Sequence, residues 1–192
     1  MKVAIMASLL LFTAPVAAET PQPGEAVNGL KATLRVQGHT FREGEYIPLE
    51  FEVRNVARTP FSIYRDLGPS PTPAGVTVRL RRGEGPVIRE FAGGNKTWFN
   101  YIQLEPGDSH EFPFVMTMRR PNEHWKHKPD LGAPELEITR VLEPGDWELW
   151  VEVNYQQGAG EAAGISDAWE GVIISNPVSF KVVEPKTQGQ TQ

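Results

Sequence analysis

The chain has 192 residues, no cysteine, and 24 acidic against 19 basic side chains, for a formal net charge of −5. That composition excludes disulfides and cysteine-ligated metals, argues against general nucleic-acid binding, and gives no reason for attachment to an anionic membrane surface. One domain of this length buries enough surface to stand on its core alone.

Residues 1–18 read as a signal peptide. Lys2 supplies a short positive region, residues 3–16 are apolar, and Val16-Ala17-Ala18 offers small residues for cleavage ahead of Glu19. The apolar run is short for a membrane span, and Pro15 breaks its end. The expected mature protein is exported, periplasmic or extracellular, with no transmembrane anchor after cleavage and no cysteine to carry a lipid there. Residues 19–28, rich in Pro, Gly and polar side chains, read as a flexible leader, and residues 185–192 as a polar tail. The folded domain is expected over residues 29–184.

Inside that span the apolar period is two. Leu30, Ala32, Leu34 and Val36 alternate with Lys31, Thr33, Arg35 and Gln37, and Ile47, Leu49, Phe51 and Val53 alternate with Pro48, Glu50, Glu52 and Arg54. Both are strands with one wet face. Weaker strands are expected at 61–64, 76–81, 87–91 and 98–104. The pentapeptide Leu-Glu-Pro-Gly-Asp occurs at 104–108 and again at 142–146, leading into strands at 111–118 and 147–155. Proline fixes φ and glycine accepts positive φ, so each copy predicts a tight turn. The last strands, near 172–175 and 178–181, flank Asn176-Pro177, where a missing backbone donor marks a bend, a bulge or an edge crossing. Eight to ten strands with essentially no helix predict an all-β, two-sheet antiparallel β-sandwich with long loops.

The run 47–55, Ile-Pro-Leu-Glu-Phe-Glu-Val-Arg-Asn, resembles the extended strand ending in Asn of many secreted bacterial immunoglobulin-like domains. Residues 142–151, Leu-Glu-Pro-Gly-Asp-Trp-Glu-Leu-Trp-Val, are similar to the Leu-x-Pro-Gly-x-Tyr strand start of that group, and 175–180, Ser-Asn-Pro-Val-Ser-Phe, fit its final strand. A fainter similarity is to the intracellular proteinase inhibitor family of small bacterial sandwiches. The resemblance implies an immunoglobulin-like sandwich and carries no catalytic residues. Trp147 stands where the tyrosine would be, so the hydroxyl-to-backbone bond of a tyrosine corner cannot form, and an export signal conflicts with an intracellular inhibitor's location.

Candidate chemistry concentrates in the loop at 119–128, where Arg119, Arg120, Lys126 and Lys128 surround Trp125, with His124 and His127 close by. A contact surface anchored on Trp125, engaging an acidic protein or glycan of the cell envelope, is the partner-binding reading for Arg119, Arg120, His124, Trp125, Lys126 and His127. A solvated loop with a sealing tryptophan is the plainer one. Methionine and imidazole suit copper, which makes Met116, Met118, His110, His124 and His127 a metal alternative. Parity places Met116 and Met118 with Phe112 and Phe114 on the core face, however, and His124-x-x-His127 lacks a fixed third ligand.

Trp98, Phe99 and Tyr101 put aromatics on both faces of one strand, and Trp150 lies between Glu148 and Glu152, opposite in parity to Trp147, Leu149, Val151 and Val153. An exposed ring among Trp98, Tyr101 and Trp150 would fit a carbohydrate-binding module, while two covered sheet faces would make them packing residues. Residues 156–168 are small and glycine-rich and read as a mobile hairpin loop without a phosphate-binding pattern. Asn95-Lys-Thr97 matches a glycosylation sequon that matters only in a eukaryotic secretory pathway. No Gly-x-Ser-x-Gly, His-Glu-x-x-His or cysteine nucleophile is present. The resulting expectation is a non-catalytic, cofactor-free binding module, with a copper-binding protein, a carbohydrate-binding module and a proteinase inhibitor as alternatives.

Overall fold

A computed structural model of the chain describes residues 22–42, 45–65, 67, 74–91, 100–118, 135–138 and 142–184. The strands are β1 (Leu30–Val36), β2 (Thr40–Arg42), β3 (Tyr46–Asn55), β4 (Phe61–Tyr64), β5 (Ala74–Arg82), β6 (Val87–Phe91), β7 (Tyr101–Leu104), β8 (Ser109–Met118), β9 (Glu135–Ile138), β10 (Gly145–Tyr155), β11 (Gly171–Ile174) and β12 (Val178–Val183), with one short helix, α1 (Ala159–Ala162). The protein is all-β. A four-stranded sheet has the order β1-β3-β8-β9, a larger sheet runs β2-β12-β10-β5-β6 with β11 also beside β10, and β4 pairs β7 separately. No helix among the described residues is long and apolar enough to cross a membrane.

Alternation dictates which rows meet. Leu30, Ala32 and Leu34 of β1 and Ile47, Leu49, Phe51 and Val53 of β3 are buried, with Ala32 opposite Val53 and Leu34 opposite Phe51. On the larger sheet Val76, Val78 and Leu80 lie opposite Val153, Val151 and Leu149. These rows, with Trp147, Phe180 and Val182, belong to one hydrophobic cluster, so the inner faces of both sheets share a core. Met116 is fully buried opposite Ile47, and Phe112 is buried opposite Phe51, so Met116 is core filler as parity predicts.

The expected count of eight to ten strands leaves out β2, which at three residues is too short for alternation to reveal, and β9, which was not expected from sequence. β2 contributes one buried side chain, Phe41, set edge-on to Phe180. Its pairing with β12 is parallel, as is that of β9 with β8, so the sheets are mainly rather than wholly antiparallel.

The two pentapeptides do different work. At 104–108, Asp108 N donates to Glu105 O at 2.9 Å and Gly107 has φ 91°, a Pro-Gly turn that only glycine adopts cheaply. At 142–146 the expected tight turn is replaced by a strand start, since Gly145 already pairs with Val182. The carbonyl of Glu143 is taken instead by the indole N–H of Trp147, at 2.9 Å.

The Asn176-Pro177 break has a clear purpose. β11 and β12 lie along the same edge of β10, and between them Ser175 N still donates to Val151 O at 2.9 Å. Asn176 then turns its side chain to the other sheet. Its Oδ1 accepts from Leu34 N at 2.9 Å and its Nδ2 donates to Leu34 O at 3.0 Å, so the amide imitates a strand residue on the edge of β1. Residues 22–28, placed in the leader on composition, are tied to the same region. Gly24 N donates to Ile174 O at 2.9 Å, and Asn28-Gly29 closes a tight turn between Val27 and Leu30.

The segment at 156–168, expected as a mobile hairpin loop, carries α1; most of its side chains are exposed, and Gly160 is tied in. Gly160 is buried, and a Cβ there would stand 2.1 Å from Ala168 Cβ. Trp169, just beyond, is buried against Tyr155 and donates its indole N–H to Asn28 O at 3.2 Å.

Candidate functional site

The partner-binding residues expected from sequence, Arg119, Arg120, His124, Trp125, Lys126 and His127, all lie outside the described residues, as do the signal peptide, Trp98, Phe99 and the Asn95 sequon. Among the described residues no group of three or more His, Asp or Glu side chains is placed to hold a metal ion.

The described chain carries its densest arrangement of polar and aromatic groups on the outer face of β5 and β10. These strands pair over their whole length, from Trp147 opposite Arg82 to Tyr155 opposite Ala74. Because Val76, Val78 and Leu80 and their partners turn inward, Thr77, Arg79 and Arg81 must share the outer face with Glu148, Trp150 and Glu152. Arg81 is directly opposite Glu148 and pairs with it, the Nε donating to Oε2 at 3.1 Å. Arg79 is directly opposite Trp150 and reaches diagonally to Glu152. The two ion pairs thus flank the indole, one toward each end of the strand. The guanidinium carbon of Arg81 lies 5.9 Å from the Trp150 ring centroid, within cation–π range.

Burial separates the two pairs. Arg79 and Glu152 side chains are 19% and 20% exposed, whereas Arg81 and Glu148 are 43% and 36% exposed. The inner pair is therefore a fixed part of the face, and the outer one is largely screened and worth about 0–1 kcal/mol. Arg79 also lies opposite Arg89 of β6, an exposed side chain that adds a further cation at the rim.

The three described tryptophans differ in what they do. Trp147 and Trp169 are buried and spend their N–H groups on the carbonyls of Glu143 and Asn28. Trp150 is half-buried, and no acceptor among the described residues faces its indole N–H. Packing accounts for the first two and leaves the third unexplained. The sequence signal for it was available, since Trp150 has the wrong parity for the core.

Other reactive-looking groups have structural uses. Ser62 Oγ donates to the carboxylate of Asp167 at 3.2 Å, but Ser62 N also donates to Asp167 O and Ser62 O accepts from Trp169 N, so the pair straps the 156–168 segment to β4. His110 sits edge-on to Phe112 at 4.6 Å. Burial lowers its pKa, as does the nearby Arg65 cation, while Glu111 opposes them. Tyr101 stacks edge-on with Tyr64, and burial, with Glu170 nearby, raises its phenol.

No protein-family model and no curated protein matches the chain. Among solved structures, 80% of the chain is similar to 30% of the alkylpurine DNA glycosylase AlkC of Pseudomonas fluorescens, at 14% identity and a TM-score of 0.41. Likewise 81% of it is similar to 50% of the sporulation control protein Spo0M of Bacillus subtilis, at 14% identity and a TM-score of 0.36. A β-glucosidase of Listeria innocua is similar in 17% of its length to 84% of the chain, at 13% identity and a TM-score of 0.37. The chain spans half or less of each of these proteins.

Proposed function

We propose that the chain is an exported, immunoglobulin-like β-sandwich that acts by binding rather than by chemistry, with the outer face of β5 and β10 as its working surface. The observation that carries this is Trp150, the described tryptophan that is only half-buried and whose N–H meets no acceptor among the described residues, set between two arginine–glutamate pairs. An aromatic centre with a charged rim is the usual anatomy of a contact surface.

Two features support the sandwich reading. The indole of Trp147 reaches the carbonyl of a residue four positions upstream, which supplies the side-chain-to-backbone bond that a tyrosine corner would make. Asn176 links the large sheet to β1 of the other sheet. The reading is export plus contact, with the 119–128 loop and its Trp125 as a second contact region.

A photo-crosslinking side chain placed at position 150, and at Thr33 on the wet face of β1 as a control, tests it in the native host. Adducts formed from position 150 and not from 33, on protein whose N-terminus is Glu19, are expected. Equal labelling at both positions, or an uncleaved N-terminus, contradicts the reading.

A further inference from the structure

We infer that the Trp150 face takes the pyranose rings of an uncharged polysaccharide, an inference that rests on the outer β5–β10 face being the working surface. Charge complementarity selects the ligand. Glu148 and Glu152 stand two residues to either side of Trp150 on its own strand, and each is engaged by an arginine of β5. An anion brought to the indole meets both carboxylates and must compete with them for Arg79 and Arg81. A cation meets the two guanidinium groups. A sugar hydroxyl does neither, because it accepts from arginine and donates to glutamate without separating the pairs.

The geometry of the face agrees with that choice. Arg81 lies over the Trp150 ring and the inner pair is mostly covered, so the indole is held in place before any ligand arrives. The indole N–H, which meets no acceptor among the described residues, supplies a donor beside the ring, and the apolar C–H face of a pyranose supplies the surface that stacks on it. The face therefore has the indole ring at its centre and the hydrogen-bonding groups of the two ion pairs around it, which is the mixture a sugar presents.

The test is affinity electrophoresis of the purified full chain through gels containing soluble neutral polysaccharides (a β-1,4-glucan, a xylan, a mannan and a galactan) and one anionic polymer, polygalacturonate. Trp150→Ala and Arg81→Ala are run beside the wild type, with the melting temperature of each. Retardation by at least one neutral polymer, weakened about tenfold in Trp150→Ala at unchanged melting temperature, is expected. Retardation by polygalacturonate alone, lost in Trp150→Ala, overturns the ligand class while leaving the face as the contact surface. Retardation indifferent to Trp150→Ala removes the face from sugar binding. A large fall in melting temperature in Trp150→Ala makes Trp150 a packing residue and sinks the working-surface reading as well. Absence of retardation in every gel overturns the inference.

Discussion

Asn55, at the end of β3, tests how the fold is held. It is fully buried, and its side chain completes three backbone groups: Nδ2 donates to Thr59 O at 3.0 Å and Leu104 O at 2.9 Å, and Oδ1 accepts from Ala57 N at 2.8 Å. Its backbone meanwhile pairs with Gly107 N and Asp108 O of the Pro-Gly turn. Asn55→Ala leaves all three groups without their partner. The buried Leu104 carbonyl costs about 1–3 kcal/mol and the two partly covered bonds about 0.5–1.5 kcal/mol each, so the expected loss is about 2–6 kcal/mol. Against a typical stability of about 5–15 kcal/mol, that is a large fraction. Urea unfolding followed by circular dichroism measures it, the midpoint falling while the slope stays constant.

Asn55→Asp sharpens the same point. A carboxylate cannot donate to two carbonyls, so the charged form is disfavoured and the folded pKa sits above the unfolded value of about 3.9. With the folded pKa raised, the variant is relatively most stable below that value and loses stability as pH rises through its folded pKa. A loss under about 1 kcal/mol for Asn55→Ala, or a pH-flat Asn55→Asp across that range, refutes the reasoning.

Three further outcomes follow from the same bookkeeping of partners. Asn176→Ala removes both bonds to Leu34 and is expected to cost about 1–3 kcal/mol in urea unfolding, while Asn176→Gln, too long to bridge the same two atoms, recovers little of it. Tyr155 carries a buried hydroxyl without a partner, and burial drives its phenol pKa far up, so Tyr155→Phe is expected to be neutral or to stabilise by about 1 kcal/mol; a loss above that shows a hidden acceptor. His110 should titrate below 6.5 by NMR, first because it is desolvated and then because Arg65 is near, and Arg65→Gln should raise the midpoint. Since the folded pKa is depressed, the contribution of neutral His110 is present above the unfolded value and lost as pH falls through the folded one, so His110→Gln should flatten the acid side of the stability profile.

Most strands were legible because the core rows alternate without interruption. The row from Leu30 to Leu34 is buried where period two puts it, and β4 and β6 have the bounds read from sequence. At 156–168 glycine composition did not reveal α1 or the close approach of Ala168 that requires a glycine at 160. The repeated pentapeptide misled once, because its residues form a turn at 104–108, whereas at 142–146 its Gly145 and Asp146 already pair with β12. Trp147 donates its indole N–H to Glu143 O, a contact that only the folded chain reveals. The site was half legible. Parity exposes Trp150, but its arginine partners come from β5, far away in sequence, and only cross-strand register brings them beside it.

A ligand held on the proposed Trp150 face should travel with the folded protein. Native mass spectrometry of wild type and Trp150→Ala, both gently purified from the native host, tests whether it does. An added mass with hexose or pentose spacing is expected on the wild type and not on a folded Trp150→Ala. Bare protein in both samples, or the same added mass on both, contradicts it.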